Sequence, residues 1–148
     1  MVAVVGLLSA ALGSLRLGAL ALLPTLLPTA VVFGLWGLLV GQVGLASSVV
    51  AAMTLGILAD DTVHFLGHYQ RARKALMGVT AAVEQAFHEA GQALWITSLI
   101  LTLGFSVLAF SHFRINADLG LLTVLILVLG LLADFVLLPA FLLTGEKK

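Results

Sequence analysis

From Leu17 to Ala59 the chain runs for 43 residues without a single charge. Water-soluble domains draw about a quarter of their residues from Asp, Glu, Lys and Arg. Here only 9% of 148 residues are charged and 61% are hydrophobic, and mean hydropathy is +1.20. Such a chain lacks the polar surface to close a globule in water. The expected fold class is all-α, a polytopic transmembrane helix bundle with the lipid bilayer as its first partner. A formal net charge of zero argues against a nucleic-acid partner, and the absence of cysteine excludes disulfides and thiolate metal sites.

A hydrocarbon core of about 30 Å needs about 20 apolar residues in a helix. The uncharged stretch holds two spans and a turn, and the "GQVG" of Gly41–Gly44 supplies the turn. The predicted spans are residues 18–40, 45–67, 92–111 and 119–143, with Asp118 as N-cap of the last. Residues 2–12, "VAVVGLLSAAL", are too few to cross and read as the end of a partial span. In the connection 68–91, Val79, Val83, Phe87, Ala90 and Leu94 recur at helical spacing. Glu84, Gln85, His88 and Glu89 take the other face, which describes an interfacial amphipathic helix. The whole reads as one membrane domain.

Six of the seven basic residues (Arg16, Arg71, Arg73, Lys74, Lys147 and Lys148) fall on one side of these spans, and Arg114 falls on the other. The positive-inside rule places the 68–91 connection and the C-terminus in the cytoplasm, with a bacterial inner membrane as the expected location.

Against this background "GILADDTVHF", residues 56–65, places Asp60 and Asp61 side by side within a span. An aspartate at the bilayer centre costs about 2.5–3.5 kcal/mol on insertion scales, so intramembrane carboxyls carry function more often than structure. Asp134 lies about as far from the outer start of its span as Asp60 does, and Thr97 and Ser98 fall at a similar depth. His64 stands one turn from both Asp60 and Asp61. Neighbouring carboxyls titrate as a coupled set and can take up and release protons. Asp60, Asp61, His64, Thr97, Ser98 and Asp134 are therefore the candidate proton relay. Asp60, His64 and His68 also form a D-x-x-x-H-x-x-x-H series, a weaker metal signal; no metal or other cofactor is expected. Gly37 and Gly41 offer a G-x-x-x-G helix contact.

Four stretches, in this order, carry a family resemblance: "GSLRLGALALLPTLLPTAVVFGLWGLL", "GILADDTVHFLGHYQRARK", "ALWITSLILTLGFSVLAFSHF" and "LGLLTVLILVLGLLADFVLLPAFLL". Together they resemble the C-terminal membrane half of resistance–nodulation–division (RND) superfamily exporters. The branch they resemble is that of the MMPL-type, hopanoid-exporter-like permeases, related to sterol-sensing and Patched-like proteins. The resemblance implies that residues 2–12 match the end of the eighth of twelve helices and that the four spans match the ninth to twelfth. It implies a proton-driven exporter of hydrophobic or lipid-like compounds, with Asp60 and Asp61 in the tenth-helix relay motif and Thr97–Ser98 on the hydroxyl-bearing eleventh. The N-terminal membrane half and the porter domains would then be missing partners, and the chain alone would not transport. Drug-exporting relatives pair such aspartates with a tenth-helix lysine, whereas no Lys or Arg falls within a span here. A non-transporting, lipid-sensing interaction module is the alternative. An intramembrane aspartyl protease using Asp60 and Asp134 is disfavoured by the lack of G-x-G-D, so no enzyme is expected.

Overall fold

A computed structural model describes residues 15–41 and 44–144. The partial span expected at residues 2–12 and the lysines at 147 and 148 lie outside them. Among the described residues the chain is helical with no strand: α1 (Leu15–Leu39), α2 (Leu45–Lys74), α3 (Val79–Ala86), a π-helical turn (Phe87–Gly91), α4 (Gln92–Ala109) and α5 (Arg114–Thr144). In lipid each backbone N–H and C=O must be satisfied within its own segment, and the helix does this. Four helical stretches are long and apolar enough to cross a membrane, at 17–39, 47–74, 79–109 and 114–144. The chain is a multi-pass membrane protein.

The boundaries show what each end needs. Gly41, at φ +71, makes the left-handed turn after α1 that other residues adopt at a cost. Neither it nor Gly37 has a neighbour within 4 Å of where a Cβ would stand, so the G-x-x-x-G forms no helix contact within the described chain. Helix α2 continues past the predicted 67 to Lys74 and gathers Arg71, Arg73 and Lys74 in its last turn, where cations oppose the helix dipole. Asp118 is not an N-cap. Helix α5 already begins at Arg114, with the Ala117 N–H donating to the Phe113 carbonyl and Arg114 Nε 3.8 Å from the Asp118 carboxylate. The predicted amphipathic helix and third span join through the π turn into one helical rod, Val79–Ala109. At about 1.5 Å per residue α4 alone measures about 27 Å, close to the hydrocarbon thickness, so the polar turns before it reach beyond the core.

Helix α5 is the hub, packed against α1, α2, α3 and α4. Two apolar clusters lie along it. One joins Ala21, Phe65, Leu66, Val83, Leu138 and Leu142 at the end bearing the basic residues; the other joins Val32, Val50, Leu58, Leu122 and Ile126 toward the opposite end. Helix α4 is peripheral. Its Leu94 and Ser98 are buried, whereas Ile96, Leu99, Ile100, Leu103 and Val107 are exposed, as a lipid-facing helix requires.

Lipid tails are as apolar as leucine, so helices associate here through close packing and interhelical hydrogen bonds. Gly120 shows the packing. A Cβ there would stand 2.5 Å from the Ala109 nitrogen and 2.7 Å from the Phe105 oxygen, both backbone atoms that cannot swing aside. Gly120→Ala is expected to destabilise the bundle by about 1–3 kcal/mol, as overpacking does. Gly104→Ala, which meets nothing within 4 Å, should be neutral or stabilising by about 1 kcal/mol through helix propensity. Unfolding in mixed micelles separates the two.

Candidate functional site: an intramembrane carboxyl cluster

Hydroxyls in these helices mostly satisfy themselves. Thr25, Thr54 and Thr123 each donate to the carbonyl four residues earlier, at 2.7 Å, which hides a polar group in an apolar surround. Thr62 departs from this pattern. Its hydroxyl leaves α2 and donates to Asp134 Oδ1 of α5 at 2.9 Å. Both partners are buried, Thr62 at 0% exposure and Asp134 at 2%. The bond sits between the two apolar clusters, with Leu58 and Ile126 on one side and Phe65 and Leu138 on the other.

Successive helical residues turn by about 100°. Asp60 and Thr62 therefore point to nearly opposite sides of α2, and Asp61 lies between. Thr62 is buried, Asp61 is half-buried, and Asp60 is exposed on the face turned away from α5. Asp61 interacts electrostatically with both Asp60 and Asp134. Asp134 on the inner face of α2, Asp61 between and Asp60 on the outer face thus span the width of the helix. The outer face, with Ser48, Ala52, Gly56, Asp60 and His64 at four-residue intervals, is exposed throughout. A carboxyl at this depth needs protein or a water-filled cavity against it.

The other candidates fall elsewhere. Thr97 is exposed and donates back to the Ala93 and Leu94 carbonyls at 3.0 and 3.1 Å. Ser98 is buried, but it lines an apolar groove of about 230 Å³ between α4 and α5, beside Trp95, Thr102 and Val128. Neither hydroxyl bonds a carboxyl of the cluster. His64 shares the outer face of Asp60, and its ring meets that of His68 edge to face at 4.9 Å between centroids. Among the described residues no three His, Cys, Asp or Glu side chains are grouped to hold a metal. His68 turns instead to the π turn, where its Nδ1 lies 2.5 Å from Glu89 Oε2, and Gln85 Nε2 donates to the other oxygen at 2.5 Å.

Thr62 and Glu89 are functional-site neighbours that the sequence does not single out as members of the relay: Thr62 reads as a hydroxyl beside the aspartates, and Glu89 as part of the polar face of an interfacial helix. A signal for Thr62 was present in the four-residue series Val50, Thr54, Leu58 and Thr62, all of which are buried.

No protein-family model matches this chain, and no solved structure gives a significant match. Among curated proteins it is similar to one named "Putative membrane protein MJ1562" from Methanocaldococcus jannaschii, at 28% identity over 126 residues. The alignment takes in 85% of this chain and 32% of that protein, so the chain spans about a third of the length of the relative it matches.

The cross-helix bond gives a direct test. Interhelical hydrogen bonds in membranes contribute about 0.6 kcal/mol on average and up to about 1.7. Thr62→Val is expected to fall near the upper end, because Asp134 loses its buried donor, whereas Thr62→Ser should retain the bond. A double-mutant cycle with Asp134→Leu, read by steric-trap or detergent unfolding, measures the coupling.

Proposed function

We propose that this chain is the C-terminal membrane half of a proton-driven exporter of hydrophobic or lipid-like compounds, of the RND/MMPL type its sequence resembles. The observation that carries the reading is the carboxyl set Asp60, Asp61 and Asp134, which links a buried interhelical bond to an uncovered polar face of the same helix.

The mechanism follows from charge. With the set ionised, three like charges repel within a medium that screens them poorly. A proton on Asp61 relieves the repulsion on both sides of α2 at once. It changes how firmly α2 and α5 are held together through Thr62 and Asp134, and how well the Asp60 face tolerates burial. Each protonation step therefore biases the seating of α2 between α5 and whatever covers its outer face. In the complete exporter that cover is the other membrane half, and the movement passes on to the porter domains that handle substrate. The membrane is the cytoplasmic one, with the end bearing Arg71, Arg73 and Lys74 inside.

In the complete protein, Asp60→Asn combined with Asp61→Asn should reduce proton-coupled efflux by at least about 100-fold, the lower range for loss of acid–base groups. Insertion and abundance should be unchanged. Full retention of proton-coupled efflux by the double variant would remove the relay reading; a complete protein that shows no efflux but keeps its partner function in the double variant would favour the lipid-sensing module.

A further inference from the structure

The carboxyl set lies within the membrane and needs a route by which protons reach it. We propose that Glu89, His68 and His64 form that route, a three-residue relay from the basic rim of the bundle to Asp61 and Asp60. This inference rests on the reading of the carboxyls as proton-binding groups and adds the path that serves them.

Two contacts build the path. Glu89 stands on the π turn with both oxygens held, one by Gln85 and the other by His68 Nδ1 at 2.5 Å. His68 in turn meets the His64 ring at 4.9 Å. Steps of four residues rotate by about 40° around a helix, so Asp60, His64 and His68 climb one slowly turning edge of α2, with Asp61 near that edge as well. His68 is the most enclosed side chain of the route, 14% exposed, and Glu89 opens it to the rim at 40%, while Asp60 and His64 lie on the outer face of α2 that nothing in the described chain covers. The groups around His68 are His64 on its own helix, Glu89 on the π turn and Gln85 on α3, while Arg71 acts on Glu89.

The chemistry balances one proton in and one out. A proton taken up at Glu89 passes to His68 Nδ1, and His68 releases the one on Nε2 toward His64. His64 repeats the exchange and delivers a proton to Asp61 or Asp60. Each imidazole is left as its other tautomer and resets by a ring flip. Glu89, by fixing Nδ1 of His68, decides which nitrogen faces the membrane interior.

The test follows protons rather than efflux. The complete protein carrying this chain is placed in lipid nanodiscs and given a rapid pH jump. Time-resolved infrared absorption of the carboxylic-acid C=O band, assigned with Asp61→Asn, reads the loading of the cluster. His68→Ala and Glu89→Gln should each slow loading by about tenfold or more, as loss of a proton-transfer group does, with the final amplitude unchanged. Added imidazole should restore the rate in His68→Ala. Glu84→Gln, on the same polar stretch, should load normally. Unaltered rates in His68→Ala and Glu89→Gln overturn the relay alone, and so does slowing that imidazole does not rescue, which marks a structural role. No band change in the unsubstituted protein would remove the proton-binding reading itself, and the relay with it.

Discussion

A carboxyl buried in lipid must find a donor, and this requirement fixes the bundle. Asp134 stands in the middle of α5, the helix against which every other described helix packs. Apolar contacts alone set α2 against α5 loosely, because leucine gains little by exchanging lipid for another leucine. The bond from Thr62 is different. A slip of α2 by one turn, about 5.4 Å, would bring Leu58 or Leu66 toward Asp134 and leave the carboxyl without a donor in hydrocarbon. That would cost several kcal/mol. One hydrogen bond therefore selects the register, and the apolar clusters on either side fill in around it.

The same geometry gives α2 two characters. Its inner face is closed by packing and by the Thr62–Asp134 bond, whereas its outer face ends in Asp60 and His64 with nothing from the described chain over them. Ser48, Ala52 and Gly56 continue that face with small side chains, the kind that let a second helix approach closely. Asp61, half-buried between the two faces, adjoins both Asp60 on the outer one and Thr62, the donor to Asp134, on the inner one.

Much of this was legible in the sequence and some was not, for identifiable reasons. Apolar run length gave the four crossings, and the glycines at 41 and 44 gave the break between the first two, because both signals are set by the solvent and the backbone. Facing was another matter. Helices α1 and α5 are apolar all round, so no stripe in their sequence distinguishes the side that meets protein from the side that meets lipid. Depth and the family resemblance, neither of which reports facing, grouped Thr97 and Ser98 with the aspartates. In the fold Thr97 bonds its own helix and Ser98 faces a separate groove. Asp118 was misplaced as a cap because the helix start was drawn from hydropathy, whereas the Arg114–Asp118 pair carries the helix further into the polar connection. The aspartate pair itself stood out on composition, and the family resemblance gave it a role; Thr62, the buried donor to Asp134, follows the pair directly, but nothing in the sequence shows that its hydroxyl leaves its own helix.

The π turn explains how the rim and the membrane interior share one rod. Before it, Val79, Val83 and Ala86 are buried in α3, which packs mainly on α2; after it, Leu94 and Ser98 are buried in α4, which packs on α5. A uniform α-helix would keep one stripe throughout. The wider winding of a π turn shifts the phase and lets the rod change partners. At the point of change Phe87 lies between Phe65 of α2 and Phe135 of α5, with ring centroids 4.9 and 5.3 Å away. Phe135 adjoins Asp134, so this aromatic contact anchors the turn next to the buried carboxyl. Two residues on, Glu89 reaches the opposite way to His68. Irregular helical winding costs hydrogen-bond geometry. Here the expense is localised where it brings an acidic side chain from the rim against the histidine edge of α2, and the aromatic contacts hold that alignment in place.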